Sequence, residues 1–389
     1  MLLTGKLRNY LKEERMTKAI KQGAPEGYVS GNYAVGTKCF SIVDRNRKNI
    51  ADNGAGERKI AVRMYYPVDK EAAKGKKLAP IFSEPKKAAL IKAYHVRNVS
   101  DDMNRAEYYE DVPIAGDKKF PLIMFSMGYN SYVEANTYLL CALASHGYII
   151  ASVGHAHEAL ENDYEDGSTD LFDKRINKLM YTSMIGAVRT QGKLLKQKVD
   201  NKTALEQFEI FQDKYTPFLK GRVVEWRKDI EKALEEVRKR YADSIDLSCG
   251  IGASGHSLGG CLAYYLCRYN DEFRCGINID GALFGEYPGS TMTKPFCQIS
   301  CRENNNVVTR PFLNTEADTY HVIFDDMKHI GFTDAKFFIP VKFIAGKLDP
   351  QEMFRHLVYC HLTFFDKYLK GENVEFTGIP SEKVTYKSL

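Results

Sequence analysis

Five glycines crowd around one serine in the stretch GIGASGHSLGG, Gly250 to Gly260. Within it, Gly255-His256-Ser257-Leu258-Gly259 fits the pattern G-x-S-x-G. A short apolar segment precedes the pattern, and a helix-length segment, GGCLAYYLCRYNDEF, follows it. In that setting the serine sits at the tip of a sharp strand-to-helix turn, and glycine is needed at 255 and 259 because larger side chains would collide there. The helix behind the turn aims backbone N–H groups, and the positive end of its dipole, at the site. The chemistry open to such a serine is nucleophilic attack on a carbonyl, provided a base takes its proton. The bland alternative is a glycine-rich linker, which needs neither the strand nor the helix.

The base and the acid that orients it must follow the serine, in the chain order Ser, acid, His. Four histidines follow Ser257: His321, His329, His356 and His361. His321 lies inside an apolar run and reads as a core or edge residue. His356 and His361 fall on a terminal helix and read as surface residues. His329 follows VIFDDMK at a strand end and precedes IGF, a turn with a glycine, so it is the candidate base. Two carboxylates compete for the acid. Asp280 ends the run CGINIDG, and Glu303 ends the next one, FCQISCRE. Both positions suit an open parallel sheet, whose functional groups gather at the C-terminal ends of the strands. A buried carboxylate in either place would fix the imidazole tautomer and stabilise the imidazolium. Asp326 and Asp349 read as solvated loop charges. His155, His157 and Glu158 invite a metal reading, but no third partner at ligand spacing accompanies the two histidines. A cleft-lining role is preferred for them, and neither metal nor cofactor is expected.

These residues need a scaffold. Short apolar runs recur along the chain, in KIAVRMYYPV, FPLIMFSMGYN, GYIIASVGHAH, Cys249 to Ser254, CGINIDG, PFCQIS and TYHVIFDDMKH. Continuous runs of this length fit strands buried on both faces of a parallel sheet. Helix-length segments such as SYVEANTYLLCALASH separate several of them. Alternating strands and helices imply right-handed βαβ units in a doubly wound sheet. The segment CGIGAS is poor in β-branched residues for a central strand, and close packing against neighbours would explain its small side chains. Residues 69–118 read as an excursion covering one edge. Residues 158–243 are charged and largely helical in pattern. Their part from Trp226 onward, with Ile230, Leu234 and Val237 at helical spacing, should pack on the sheet, while 158–222 is a candidate lid. The segment EMFRHLVYCHLTFFDKYLKG reads as an amphipathic terminal helix stopped by Gly371. The expected organisation is an N-terminal helical extension over 1–26 and one α/β domain over 27–389.

Bulk properties narrow the function classes. The chain has 389 residues, 44% of them hydrophobic, enough for a large core. Its net charge of +5 is small, and its 55 basic residues are interleaved with 50 acidic ones, which does not suggest nucleic acid. Nine cysteines, an odd number without framework spacing, argue against a disulfide scaffold. Most sit in apolar runs as small core residues, and a reducing, cytoplasmic location is expected. The opening apolar run is too short for a signal peptide, and no segment reaches the length of a membrane span. A transient membrane-surface contact through the amphipathic N-terminus stays open. The oligomeric state is not set by the sequence.

GHSLGG, FRCGINIDGALF and KHIGFTD together resemble the platelet-activating-factor acetylhydrolase family, plasma type and intracellular type II, within the α/β-hydrolases. RMYYP and FPLIMFSMG resemble its early strands, so the likeness runs from about residue 27 to about 370. The fold class implied is the α/β-hydrolase fold with a helical insertion. The Ser257-to-Asp280 spacing agrees with the family, and the resemblance implies Asp280 rather than Glu303 as the acid. It also implies an oxyanion hole made by the backbone N–H groups of Leu258 and Tyr129. Such a donor typically contributes ~3–4 kcal/mol of transition-state stabilisation. The chain departs from the family in two places. The usual FSHG is FSMG here, with Met127 for histidine, which keeps the backbone donor and removes a side chain that could fix the loop. Animal members carry a bulky aromatic two residues after the acid, where this chain has Ala282, which implies more acyl space. Met127, Ala282 and Phe284 are the candidate substrate-lining residues. The expected activity is hydrolysis of a small-molecule or lipid ester, the family suggesting phospholipids with short or oxidised sn-2 chains. Another acyl hydrolase on the same scaffold (thioesterase, peptidase, dienelactone-type or polyester hydrolase) and a non-catalytic binding protein are the alternatives.

Overall fold

The apolar runs become strands of one eleven-stranded sheet. The computed structural model describes residues 23–388, apart from 50–55, 95–98, 100–103, 117, 184–185, 195–196, 286–290, 306–314 and 339–341. The helical extension expected over 1–26 thus lies almost wholly outside the described residues. The strands are β1 (Ala34–Lys48), β2 (Glu57–Val68), β3 (Leu78–Pro80), β4 (Arg105–Glu110), β5 (Phe120–Ser126) and β6 (Ile149–His155). A small hairpin, β7 (Glu161–Asp163) and β8 (Thr169–Leu171), stands apart, and the sheet resumes with β9 (Ile245–His256), β10 (Phe273–Ile279), β11 (Phe296–Cys301), β12 (Thr319–Phe324) and β13 (Val384–Ser388). The spatial order is β13-β12-β11-β10-β9-β5-β6-β2-β1-β4-β3. The six strands from β6 to β12 in that order are mutually parallel. Antiparallel β2 and β13 flank them. The excursion over 69–118 does cover an edge, by contributing β3 and β4.

Helices cover both faces, as the apolar character of both sides of β5 and β6 demands. The main ones are α1 (Glu84–Tyr94), α2 (Thr137–Ser145), α3 (Lys174–Ser183), α4 (Ala187–Leu194), α5 (Asn201–Tyr215), α6 (Pro217–Tyr241), α7 (Leu258–Tyr269) and α8 (Pro350–Tyr368). One core joins α6 and α7 to the sheet, and a second joins α2 and α8 to the opposite face. Helix α6 starts at Pro217, whose missing N–H costs nothing at a first turn, and buries Leu219, Val223, Trp226, Ile230, Leu234 and Val237 along one stripe. Residue 222 is therefore no boundary: the helix read from Trp226 onward begins inside the candidate lid. Gly252 explains the small residues of the serine strand. A Cβ there would lie 2.9 Å from the Phe365 ring and 3.0 Å from Leu369, so α8 packs directly on this glycine.

Two readings of the histidines are corrected. His356 and His361 are not on the surface of α8 but fully buried, because they lie on the face that packs inward. His356 Nδ1 meets the Tyr386 hydroxyl at 2.6 Å, and His361 bridges Ser254 Oγ at 3.1 Å and the Leu357 carbonyl at 2.8 Å. Asp349 is more than a loop charge. It caps α8, accepting from the N–H groups of Gln351 and Glu352 at 2.9 and 3.0 Å. His321 is buried within β12, as its run suggested.

Candidate active site

Ser257 stands between β9 and α7 with φ 58° and ψ −121°, a strained conformation for a residue with a side chain. Packing enforces the turn. A Cβ at Gly259 would come within 2.1 Å of the Ser126 carbonyl oxygen and 2.4 Å of that of Met127. Both obstacles are backbone, so no side-chain adjustment could relieve them. The serine hydroxyl donates to His329 Nε2 at 2.9 Å, and His329 Nδ1–H donates to Asp280 Oδ2 at 2.7 Å. His329 opens a short 3-10 turn, His329–Phe332, after β12. Asp280 follows β10, also at positive φ, with its side chain fully buried. It accepts further hydrogen bonds from the Cys301 N–H at 2.9 Å, from Asn304 Nδ2 at 2.8 Å and, weakly, from the Cys301 thiol at 3.5 Å. Glu303 is exposed and pairs with Lys328 instead.

His256 supports the base from below. Its ring tilts against that of His329, with centroids 4.7 Å apart, and its Nε2–H donates to the His329 carbonyl at 3.0 Å. Burial lowers its pKa to about 3, so it stays neutral through the working range. Sequence reasoning noticed this residue before the serine but gave it no role.

Leu258 is the first residue of α7, so its N–H has no intrahelical partner. On the other side of the serine, a Cβ at Gly128 would lie 3.1 Å from Ser257 Cβ. Gly128, the residue before Tyr129, therefore lies beside the nucleophile. Met127 is 1% exposed, its side chain closed off from solvent, whereas Ala282 and Phe284 are half-buried beyond Asp280. The cleft-lining role for His155 is corrected. This residue is fully buried, donating from Nδ1 to Asp229 Oδ2 at 2.8 Å and lying flat on Trp226 at 3.7 Å. Glu158 is taken by Arg222, and among the described residues no His, Cys, Asp and Glu group could hold a metal ion.

A hydrogen-bonded Ser–His–Asp chain, at the C-terminal edge of a mostly parallel sheet covered on both faces, defines an α/β-hydrolase fold. A family model described as platelet-activating factor acetylhydrolase, isoform II, matches residues 19–383, and the chain belongs to that family. The platelet-activating factor acetylhydrolase of Cavia porcellus is 23% identical over 276 residues, which are 66% of this chain and 59% of that protein. The protein of the same name from Bos taurus is 26% identical over 169 residues, 43% of this chain and 36% of that one. The matches thus span less than two thirds of the length of these relatives. Among solved structures, a ferulic acid esterase from Streptomyces cinnamoneus superposes with a TM-score of 0.71 at 22% identity, covering 94% of this chain and 98% of that one. That likeness supports the fold.

Proposed function

We propose that the protein is a serine carboxylic-ester hydrolase. The observation that carries this reading is the chain from Ser257 Oγ through His329 to buried Asp280, with contacts of 2.9 and 2.7 Å. Ser257 attacks the ester carbonyl as His329 Nε2 takes its proton. The tetrahedral oxyanion is held by the N–H groups of Leu258 and Tyr129. His329 then returns the proton to the leaving alcohol, and the acyl group stays on Ser257. Water, activated by the same imidazole, releases the acid. The Asp280 carboxylate accepts from Nδ1–H, which leaves Nε2 free to accept.

The substrate class is a small-molecule or lipid ester, by analogy with the names of the relatives. We propose acyl groups longer than acetyl, since Ala282 stands where animal members of the family carry a bulky aromatic, and we narrow the candidate lid to helices α3 to α5, because the C-terminal end of 158–222 is the start of the packed helix α6. Among the described residues no helix is long and apolar enough to cross a membrane. All nine cysteines are free and seven are buried, which fits the proposed reducing location. The test is hydrolysis of p-nitrophenyl esters from acetate to dodecanoate, with Ser257→Ala as control. Turnover that disappears in the variant and extends beyond acetate is expected. A sharp peak at acetate refutes the acyl-space argument, and no turnover by folded protein refutes the ester-hydrolase reading.

A further inference from the structure

A second Asp–His–Ser chain lies buried behind the first. Asp229 Oδ2 accepts from His155 Nδ1 at 2.8 Å, and His155 Nε2 meets Ser126 Oγ at 3.0 Å. The carboxylate can only accept, so Nδ1 carries the proton and Nε2 accepts a hydrogen bond from the Ser126 hydroxyl. All three residues are at most 1% exposed, so Ser126 cannot reach a substrate. Its position is nonetheless telling. Ser126 ends β5, immediately before Met127-Gly128-Tyr129, and its carbonyl packs against Gly259 of the elbow.

The far side of the same loop is tied to the same cluster. The Asn130 N–H donates to the Glu158 carbonyl at 2.8 Å. The Glu158 carboxylate receives Arg222 at 2.7 and 2.6 Å, and Arg58 bridges it to Asp229 with contacts of 3.4 and 2.5 Å. Arg47 adds a 2.7 Å contact to Asp229. Helix α6 supplies Asp229 and Arg222, and its Trp226 stacks on both His155 and Tyr129. The loop that carries one oxyanion donor is therefore gripped upstream, downstream and on its aromatic ring by one buried ion cluster. Burial depresses the His155 pKa, which keeps the imidazole in the neutral form this chain requires.

We propose that Ser126 and His155 are positioning residues for the oxyanion loop, anchored by the Arg58–Asp229–Glu158 cluster, and take over the loop-fixing task that Met127 cannot perform. The inference rests on the ester-hydrolase reading. Its test is Ser126→Ala, compared with Ser254→Ala. The control loses an equivalent buried serine-to-histidine hydrogen bond, to His361 at 3.1 Å, on the neighbouring strand beside Phe125 and on the α8 face of the sheet, opposite the α6 cluster. On a p-nitrophenyl ester, Ser126→Ala should lower kcat about ten- to a hundredfold with KM within twofold, because a displaced donor is felt in the transition state. A trifluoromethyl ketone, which forms an oxyanion on Ser257, should weaken by a similar factor. Ser254→Ala should lose comparable thermal stability yet keep kcat and inhibitor affinity within twofold. Should the alanine variant not fold, Ser126→Cys, which keeps a weak donor, reads the same split with a smaller loss. If kcat and ketone affinity survive in the Ser126 variants, or fall equally in Ser254→Ala, the positioning role is overturned while the hydrolase reading stands. If wild-type protein neither hydrolyses esters nor binds the ketone, both are overturned.

Discussion

Replacing Asp280 with asparagine changes one atom and should remove nearly all turnover. The carboxylate receives three N–H donors, His329 Nδ1 at 2.7 Å, the Cys301 N–H at 2.9 Å and Asn304 Nδ2 at 2.8 Å, besides the weak Cys301 thiol at 3.5 Å. An amide has one acceptor oxygen. If its NH2 group replaces Oδ1, it faces the Cys301 N–H, donor against donor. If it replaces Oδ2, it faces Asn304 and donates to His329 Nδ1, which leaves the proton on Nε2, where Ser257 needs a lone pair. The first orientation leaves a buried donor unsatisfied at a cost of about 1–3 kcal/mol, and the second disables the base. By the precedent of triads with this tautomer error, kcat should fall about 10⁴-fold, or roughly 5 kcal/mol of barrier. Glu303→Gln supplies the comparison, because Glu303 is exposed and paired with Lys328. It should leave kcat within about twofold, as expected for a surface pair. The assay is kcat and KM on p-nitrophenyl butyrate for both variants, with circular dichroism to show that each folds. Activity of folded Asp280→Asn within tenfold of wild type, or an equal loss in Glu303→Gln, would refute the assignment.

Further predictions follow from the same geometry. Gly259→Ala drives a Cβ to 2.1 Å from a backbone oxygen, so activity should be lost together with about 1–3 kcal/mol or more of stability in urea unfolding; an active, stable variant would contradict the elbow. Gly221 is exposed inside α6 with nothing within 4 Å of an added Cβ, so Gly221→Ala should raise stability by about 0.5–1 kcal/mol, and a lower melting temperature would count against the helix. Ala282→Phe should cut turnover on octanoate about tenfold or more while sparing acetate; an unchanged chain-length profile would remove Ala282 from the acyl site. Burial lowers the pKa of His256 to about 3 and those of His321 and His361 to about 4. Each binds a proton on unfolding below its unfolded pKa of about 6.5 and above its folded value. Stability should therefore be complete above pH ~6.5 and fall with acidification by about 1.4 kcal/mol per unit per histidine. A urea midpoint that stays flat from pH 7 to about 5 contradicts that burial.

The part of the site nearest the serine was the most legible. G-x-S-x-G carries its own backbone requirement, and the glycine clashes at 255 and 259 are the physical form of that pattern. His329 could be singled out because it alone followed a strand and preceded a turn. Choosing Asp280 over Glu303 needed the family resemblance, since each ends a strand and only burial tells them apart. Helix α8 was read correctly in extent, yet its histidines were misplaced. Polarity suggested a surface, whereas Tyr386, Ser254 and the Leu357 carbonyl satisfy the rings inside. The cluster behind the oxyanion loop was not legible. Arg58, Glu158, Arg222 and Asp229 come from four separate parts of the chain, and nothing local marks their convergence. Strands β1 and β13 were also missed: β1 mixes charged residues into its alternation, and β13 has only five residues.

The most direct test of the account is to treat the protein with a fluorophosphonate and map the modified peptide by mass spectrometry. One adduct is expected, on Ser257, formed at neutral pH, abolished by Ser257→Ala and strongly slowed by Asp280→Asn. Failure of folded wild-type protein to react, or an adduct on any other residue, would contradict it.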